Sequence, residues 1–343
     1  MERKNNQLTF LDNLTSDLGG KRTAAFFAKC DKYIPWDELA EPLKDMYCND
    51  TSKGGASNWP IVMMIKCMML QKWFNLSDPM LEEMLSDRLS FRRFIGLTME
   101  GRTPDETTFV VFRRRLRKHG HSATLFDKTV EILNQRGVIL EEGTCVDATI
   151  IETSRGRKRD DGTSTRDKTA SYTKKNDRIY HGFKAHIATD TNGIIKDYRF
   201  DTAKVHDSQH IDDLTENEEH SVYADSAYMS GERKRELEDK GVFCGIIYKR
   251  VRGQKELTSD QKWHNRLVAG FRAVVEHPFA WMKNTGYRRA RYRGLQRNGM
   301  DFTLHAMPIT SNEALAYRRR WPSATGLPKA GRKPCLATLS KLI

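Results

Sequence analysis

Apolar positions recur at helical spacing through roughly the first 140 residues and then give way to short β-branched runs. The stretch opened by Trp59-Pro60 and running through Ile65, Met68 and Met69 to Trp73 is apolar on most faces, which predicts a buried helix. Asp78-Pro79 reads as an N-cap followed by proline at the first helical position, ahead of Leu81, Met84, Leu85 and Leu89. Thr103-Pro104-Asp105-Glu106 has the form of a capping box with Thr103 at the cap. The helix it predicts carries Phe109, Phe112 and Leu116 on one side, with Arg113, Arg114, Arg115, Arg117 and Lys118 around the rest.

From about residue 143 the period shortens. Cys145-Val146-Asp147-Ala148-Thr149-Ile150-Ile151 predicts a buried strand, and the polar stretch 152–178 that follows reads as a loop. Two alternating runs flank Asp190-Thr191-Asn192-Gly193, a strong hairpin signal. A helix over 207–217, a strand ending at Ala224-Asp225, a helix over 231–240, a strand over 242–248 and a long helix over 260–285 complete the series. This order predicts a mixed α/β layer fold behind an all-α N-terminal domain. The expected domains are 1–140, 141–317 and a loose basic tail, 318–343.

Composition narrows the functional classes. The 343 residues carry 58 Lys and Arg against 45 Asp and Glu, a formal charge of +13, and a surplus of that size points to a polyanionic partner. No run reaches the ~18 apolar residues of a membrane span, and the polar start of the chain lacks a signal-peptide core. Six cysteines (Cys30, Cys48, Cys67, Cys145, Cys244, Cys335) show no CxxC pair, so reduced thiols are expected in a cytoplasmic protein. P-loop and HExxH motifs are absent, which disfavours ATP-driven chemistry and zinc proteolysis.

Three acids stand out because their neighbours are apolar. Asp147 lies inside a predicted core strand, Asp225 at the end of another, and Glu276 follows Val274-Val275 on the long helix. A buried carboxylate is costly unless it is paired or holds a cation. Convergent carboxylates suit hard ions such as Mg²⁺, and a pair of ions would support phosphoryl transfer. The alternative is that each acid caps a turn or pairs with an arginine. Arg272, Glu276, Phe279 and Lys283 form one helical stripe, in which Pro278 is expected to kink the helix or reset its start. Beyond it, Arg288, Arg289, Arg291 and Arg293 alternate with Tyr287 and Tyr292 without an intervening acid, a pattern suited to a phosphate backbone. His186 and His206-Asp207 offer proton-transfer groups or structural hydrogen bonds, and Asp190 reads as a turn residue.

The segments Val146-Asp147-Ala148-Thr149, Tyr223-Ala224-Asp225-Ser226-Ala227-Tyr228 and the run from Arg272 through Glu276 to Lys283 resemble the DDE transposases of bacterial insertion sequences. The nearest group is the one called insertion sequence family five. Its C-terminal signature of Tyr, Arg, Glu and Lys is matched by Arg272, Glu276 and Lys283, while Ala269 takes the tyrosine position. The resemblance implies a ribonuclease H-like mixed sheet with flanking helices and two Mg²⁺ ions, with Mn²⁺ as a substitute. It makes Asp147, Asp225 and Glu276 the catalytic metal ligands, and Arg272 and Lys283 phosphate contacts. It further implies double-stranded DNA as substrate, at transposon ends and target, with cleavage at terminal inverted repeats followed by strand transfer. Arg113, Arg114 and Arg117 would recognise the transposon end, at least two subunits would assemble on DNA, and the protein would be nucleoid-associated. A DNA-binding protein without catalysis and a simple metal-dependent nuclease are the competing readings.

Overall fold

The computed structural model describes residues 21–47, 57–140, 142–157, 159–250 and 253–320. Cys48, Cys335 and almost all of the predicted tail lie outside them, as does the start of the chain. The helical part comprises α1 (Lys21–Tyr33), α2 (Trp36–Ala40), a 3-10 turn (Glu41–Tyr47), α3 (Ile61–Trp73), α4 (Asp78–Asp87), α5 (Leu89–Ile95), α6 (Glu106–Lys118) and α7 (His121–Gln135). Helix α3 is buried on nearly every side, as its apolar circumference requires, and that burial extends to Gln71 and Lys72.

Two helix starts differ from expectation. Ser77, not Asp78, caps α4 by accepting the Met80 N–H (3.3 Å), so Asp78 is the first helical residue and its carboxylate is available elsewhere. Asp105, not Thr103, caps α6 through the Thr108 N–H (2.7 Å), because Pro104 precedes the cap and the helix begins at Glu106.

The sheet contains β1 (Thr144–Glu152), β2 (Ser171–Lys175), β3 (Arg178–Thr189), β4 (Ile195–Thr202), β5 (Ser221–Ala224) and β6 (Phe243–Ile246). Its order is β2-β3-β1-β5-β6, with β4 on the same edge of β3 as β2. Pairings β2-β3, β3-β4 and β3-β1 are antiparallel, whereas β1-β5 and β5-β6 are parallel. Strand β2 arises inside the stretch expected to be a loop. Its residues are mostly exposed, so hydrophobic alternation did not mark it, and pairing along the extended start of β3 makes it a strand.

Helix α8 (Ile211–Leu214) is only a short element where a longer helix was expected, and α9 (Gly231–Asp239) lies between β5 and β6. The long helix expected over 260–285 is three pieces: α10 (Ser259–Arg272), a 3-10 turn (Ala273–Val275) and α11 (Glu276–Asn284). Pro278 falls in the first turn of α11, where its missing N–H costs no helical bond. Helix α12 (Leu295–Arg320) closes the described chain.

One large apolar cluster joins the helical part to one face of the sheet. It includes Phe27, Leu70, Phe91 and Phe109 together with Cys145, Ile187, Tyr223, Phe302 and Ile309. A second cluster, with Val146, Ala188, Val222, Ala224, Tyr228 and Leu237, covers the other face. The sheet is thus sandwiched, and Asp147 and Asp225 emerge from its middle.

Candidate functional site

Register determines how the first two acids meet. On the parallel pair β1-β5, Cys145 is opposite Tyr223 and Val146 opposite Ala224. Asp147 and Asp225 are the next residues of the two chains, so they lie side by side at the carboxyl end of β5. Alternation puts both on the face of Cys145 and Tyr223. That face is covered by α10: the Cys145 thiol donates to the Phe271 carbonyl (3.4 Å), and the Tyr223 ring stacks on Phe271 at 4.8 Å. Asp147 is half-buried and accepts the Ala148 N–H (2.8 Å); burial pushes its carboxyl up, with Asp225 adding in the same direction. Asp225 is exposed and accepts the Ser226 N–H (2.7 Å).

Helix α10 ends over these two carboxylates. Arg272 lies 2.7 Å from the Glu276 carboxylate and 3.7 Å from that of Asp225, and its charge also draws down the Asp147 carboxyl. One guanidinium therefore interacts with all three acids expected to hold cations. The 3-10 turn between Arg272 and Glu276 keeps them close although the continuous helix is broken. The donor set is oxygen only, the chemistry that suits Mg²⁺ or Mn²⁺, and the arginine demonstrates that a positive group is accommodated among them.

The family described as Transposase DDE domain matches residues 140–309, and the one described as Transposase domain (DUF772) matches residues 17–115. Over residues 140–309 the chain is similar to DDE transposase domains. Both matches are to domains of DNA transposition, and DNA is the substrate class they imply. No solved structure matches the chain.

All three acids, Arg272 and Lys283 fall within the DDE domain. So does the basic segment that follows α11. Arg288, Arg289, Arg291 and Arg293 are exposed, whereas Tyr287 is buried against His305 (4.1 Å) and cannot stack on a base. This corrects the expected interleaving at Tyr287: packing against α12 withdraws that ring and leaves the arginines outside, while Tyr292 is half-buried. The segment is tied down by its backbone, with the Ala290 N–H on the Glu152 carbonyl (3.0 Å) and the Gly294 N–H on Asp167 (2.7 Å). Arg291 adds a hydrogen bond to Asn75. Lys283 is exposed at the end of α11.

In the helical part the three arginines expected to face DNA separate. Arg113 is buried and grips Asp78 through both nitrogens (2.8 and 2.5 Å), with Gln71 on the same carboxylate (2.6 Å). It is a structural group here, because its position on α6 points at α4 rather than outward. Arg114 is exposed and Arg117 half-buried.

His186 is paired with Ala148 and so lies on the sheet face away from Asp147, completely buried, with burial drawing its pKa down to about 4. It does not reach the acids. His206 caps a turn by accepting the Ser208 N–H (3.3 Å), and Asp207 pairs with Lys184 (2.8 Å). Asp190 is more than a turn residue: fully buried, it accepts N–H groups of Leu140, Asn192 and Ile194 (2.8–3.0 Å) and joins the entry of β1 to the β3-β4 turn. Its signal in the sequence was the Asn192-Gly193 turn itself, two residues on. The four-residue spacing marked Arg272 as a neighbour of Glu276, but no comparable signal marked its contact with Asp225.

Proposed function

We propose that this chain is a metal-dependent DNA transposase of the insertion sequence family five group, with a ribonuclease H-like catalytic domain over 141–317. In this reading it cleaves at terminal inverted repeats and joins the freed strand to target DNA. The observation that carries the reading is the register that puts Asp147 beside Asp225 on adjacent parallel strands, with Arg272 linking Asp225 to Glu276. The strand arrangement supports it: three antiparallel neighbours, β4-β3-β1, continue into two parallel ones, with the first acid on the central strand.

Asp147, Asp225 and Glu276 hold the divalent ions in this scheme. Held by these three carboxylates, a pair of Mg²⁺ ions would supply Lewis-acid activation of the attacking oxygen and charge stabilisation at the leaving one. Arg272 exchanges a carboxylate for a phosphate of the DNA strand, and Lys283 takes a neighbouring phosphate. Arg288, Arg289, Arg291 and Arg293 extend this surface along the backbone, and Arg114 and Arg117 on α6 contact the transposon end. Joining two ends requires at least two subunits. Among the described residues no helix is long and apolar enough to cross a membrane.

A cleavage and strand-transfer assay tests the proposal. Labelled end sequences flanking the gene, a supercoiled target plasmid and Mg²⁺ are combined with the wild type, Asp225→Asn or Glu276→Gln. Metal-dependent nicking and joining by the wild type alone, with end binding retained in both variants, is the expected result. Tight end binding without cleavage in any metal would favour a DNA-binding protein without catalysis, and nicking without joining a simple nuclease.

A further inference from the structure

A second group of metal-ligating side chains lies in the helical part, away from the three acids of the sheet. Asp45 sits on the 3-10 turn Glu41–Tyr47, His119 is the C-cap of α6, and His121 is the first residue of α7. Among the described residues they are the only three His, Cys, Asp or Glu side chains whose donor atoms all lie within 4.8 Å of one another. His121 Nε2 is 2.6 Å from one Asp45 oxygen, and His119 Nδ1 is 3.8 Å from the other. The two imidazoles are nearly parallel, at 5.7 Å and 14°.

The backbone explains why these groups converge. Between the histidines, Gly120 takes a left-handed conformation (φ +75°), which ends α6 and starts α7 within a single residue. On a continuous helix, residues two apart face different directions. The glycine turn instead brings both rings to the same side. Asp45 is held opposite them because Leu43 and Met46, beside it on the 3-10 turn, are buried in the core. Each ligand is thus carried by backbone that secondary structure has already ordered.

We propose that Asp45, His119 and His121 form a binding site for a zinc-type divalent transition metal ion. Two imidazole nitrogens and one carboxylate oxygen are the ligands such an ion prefers, and they disfavour Mg²⁺, which takes oxygen. Tetrahedral Zn²⁺ with bonds of 2.0–2.1 Å needs donors about 3.4 Å apart, within reach of small rotations of these side chains. His121 is the most enclosed of the three, its side chain 13% exposed, and His119 and Asp45 leave the other side open to solvent for a water ligand. The ion fastens the 3-10 turn to the junction of α6 and α7. This site is independent of the proposed catalytic centre.

The experiment is Co²⁺ titration of the full chain, followed by visible absorption, with Zn²⁺ as competitor. The wild type is expected to develop a tetrahedral Co²⁺ band that Zn²⁺ abolishes and Mg²⁺ does not. His119→Ala and His121→Ala should each weaken binding at least about tenfold, while Asp147→Asn combined with Glu276→Gln retains the band. X-ray absorption of the zinc-loaded wild type should show two imidazoles and no sulfur, which checks the assignment without any variant. A band lost in the Asp147/Glu276 double variant but kept in both histidine variants would overturn the proposal, as would sulfur ligation or no band at all. None of these results depends on whether the chain cleaves DNA.

Discussion

Arg113 and Arg114 are adjacent in sequence and opposite in environment. Arg113 is enclosed and bidentate on Asp78; Arg114 is exposed on the other side of α6. Removing one partner of a buried ion pair leaves an uncompensated charge, so Arg113→Ala should cost about 3–5 kcal/mol of stability. Arg114→Ala should change stability by less than about 0.5 kcal/mol but lower the salt-dependence slope of DNA binding by about one. Denaturant melts and binding isotherms at several salt concentrations measure both. An unchanged slope for Arg114→Ala would place it off the DNA. Burial also governs the thiols: it pushes the Cys30 and Cys145 pKa values up to about 12, so both are unreactive at neutral pH.

At the level of elements, the β3-β4 turn holds together parts of the site that are distant in sequence. Asp190 ties it to the residue leading into β1, which carries Asp147. Gly193, at φ +91°, packs against Val274 in the 3-10 turn immediately before Glu276. A Cβ there would meet Val274 Cγ1 at 3.2 Å and force an L residue into left-handed backbone, at about 1–2 kcal/mol. Gly193→Ala is therefore expected to lower the melting temperature and to reduce strand joining more than end binding, as Glu276 shifts. Equal losses in both would mean that the turn supports the fold and not Glu276 in particular. The basic segment after α11 is a second such element, held at Glu152, Asp167 and Asn75. Replacing Arg288 and Arg289 by alanine should reduce the salt slope by about two without altering the melt.

Across the whole molecule, buried histidines make stability depend on pH. Desolvation lowers His186 to about 4 and His305 to about 3, from an ordinary 6.5. Both are neutral in the fold at pH 7, whereas the unfolded chain takes up protons as pH falls below 6.5. Their contribution is complete above pH 6.5 and declines toward pH 4, by on the order of 1 kcal/mol per pH unit for each histidine. Asp147 and Asp190, raised by burial, act in the opposite direction. His186→Leu isolates the histidine contribution: its melting temperature should fall less between pH 7 and pH 5 than that of the wild type. An identical fall would assign the proton uptake to other groups. His305 belongs to the ionic contact that joins α3 to α12. There Lys72 pairs with Asp301 inside the core, and the carboxyl stays below its usual range although burial alone would raise it.

Most of the architecture was legible because it is written in local periodicity. The buried helix α3, the Asn-Gly hairpin, and the order of strands and helices that carries Asp147, Asp225 and Glu276 all follow from apolar spacing and turn residues. The Lys and Arg surplus likewise pointed to a polyanion before any fold was known. What the sequence could not display depends on partners far along the chain. Strand β2 exists because β3 offers it an edge, and Asp78 leaves its expected cap because Ser77 serves instead while Arg113 takes its carboxylate. Tyr287 turns inward because α12 packs over it, and Asp45 meets His119 and His121 only after the helices assemble. Local propensity is a property of neighbouring residues; the environment of a charge is set by burial and by partners that only tertiary contacts supply.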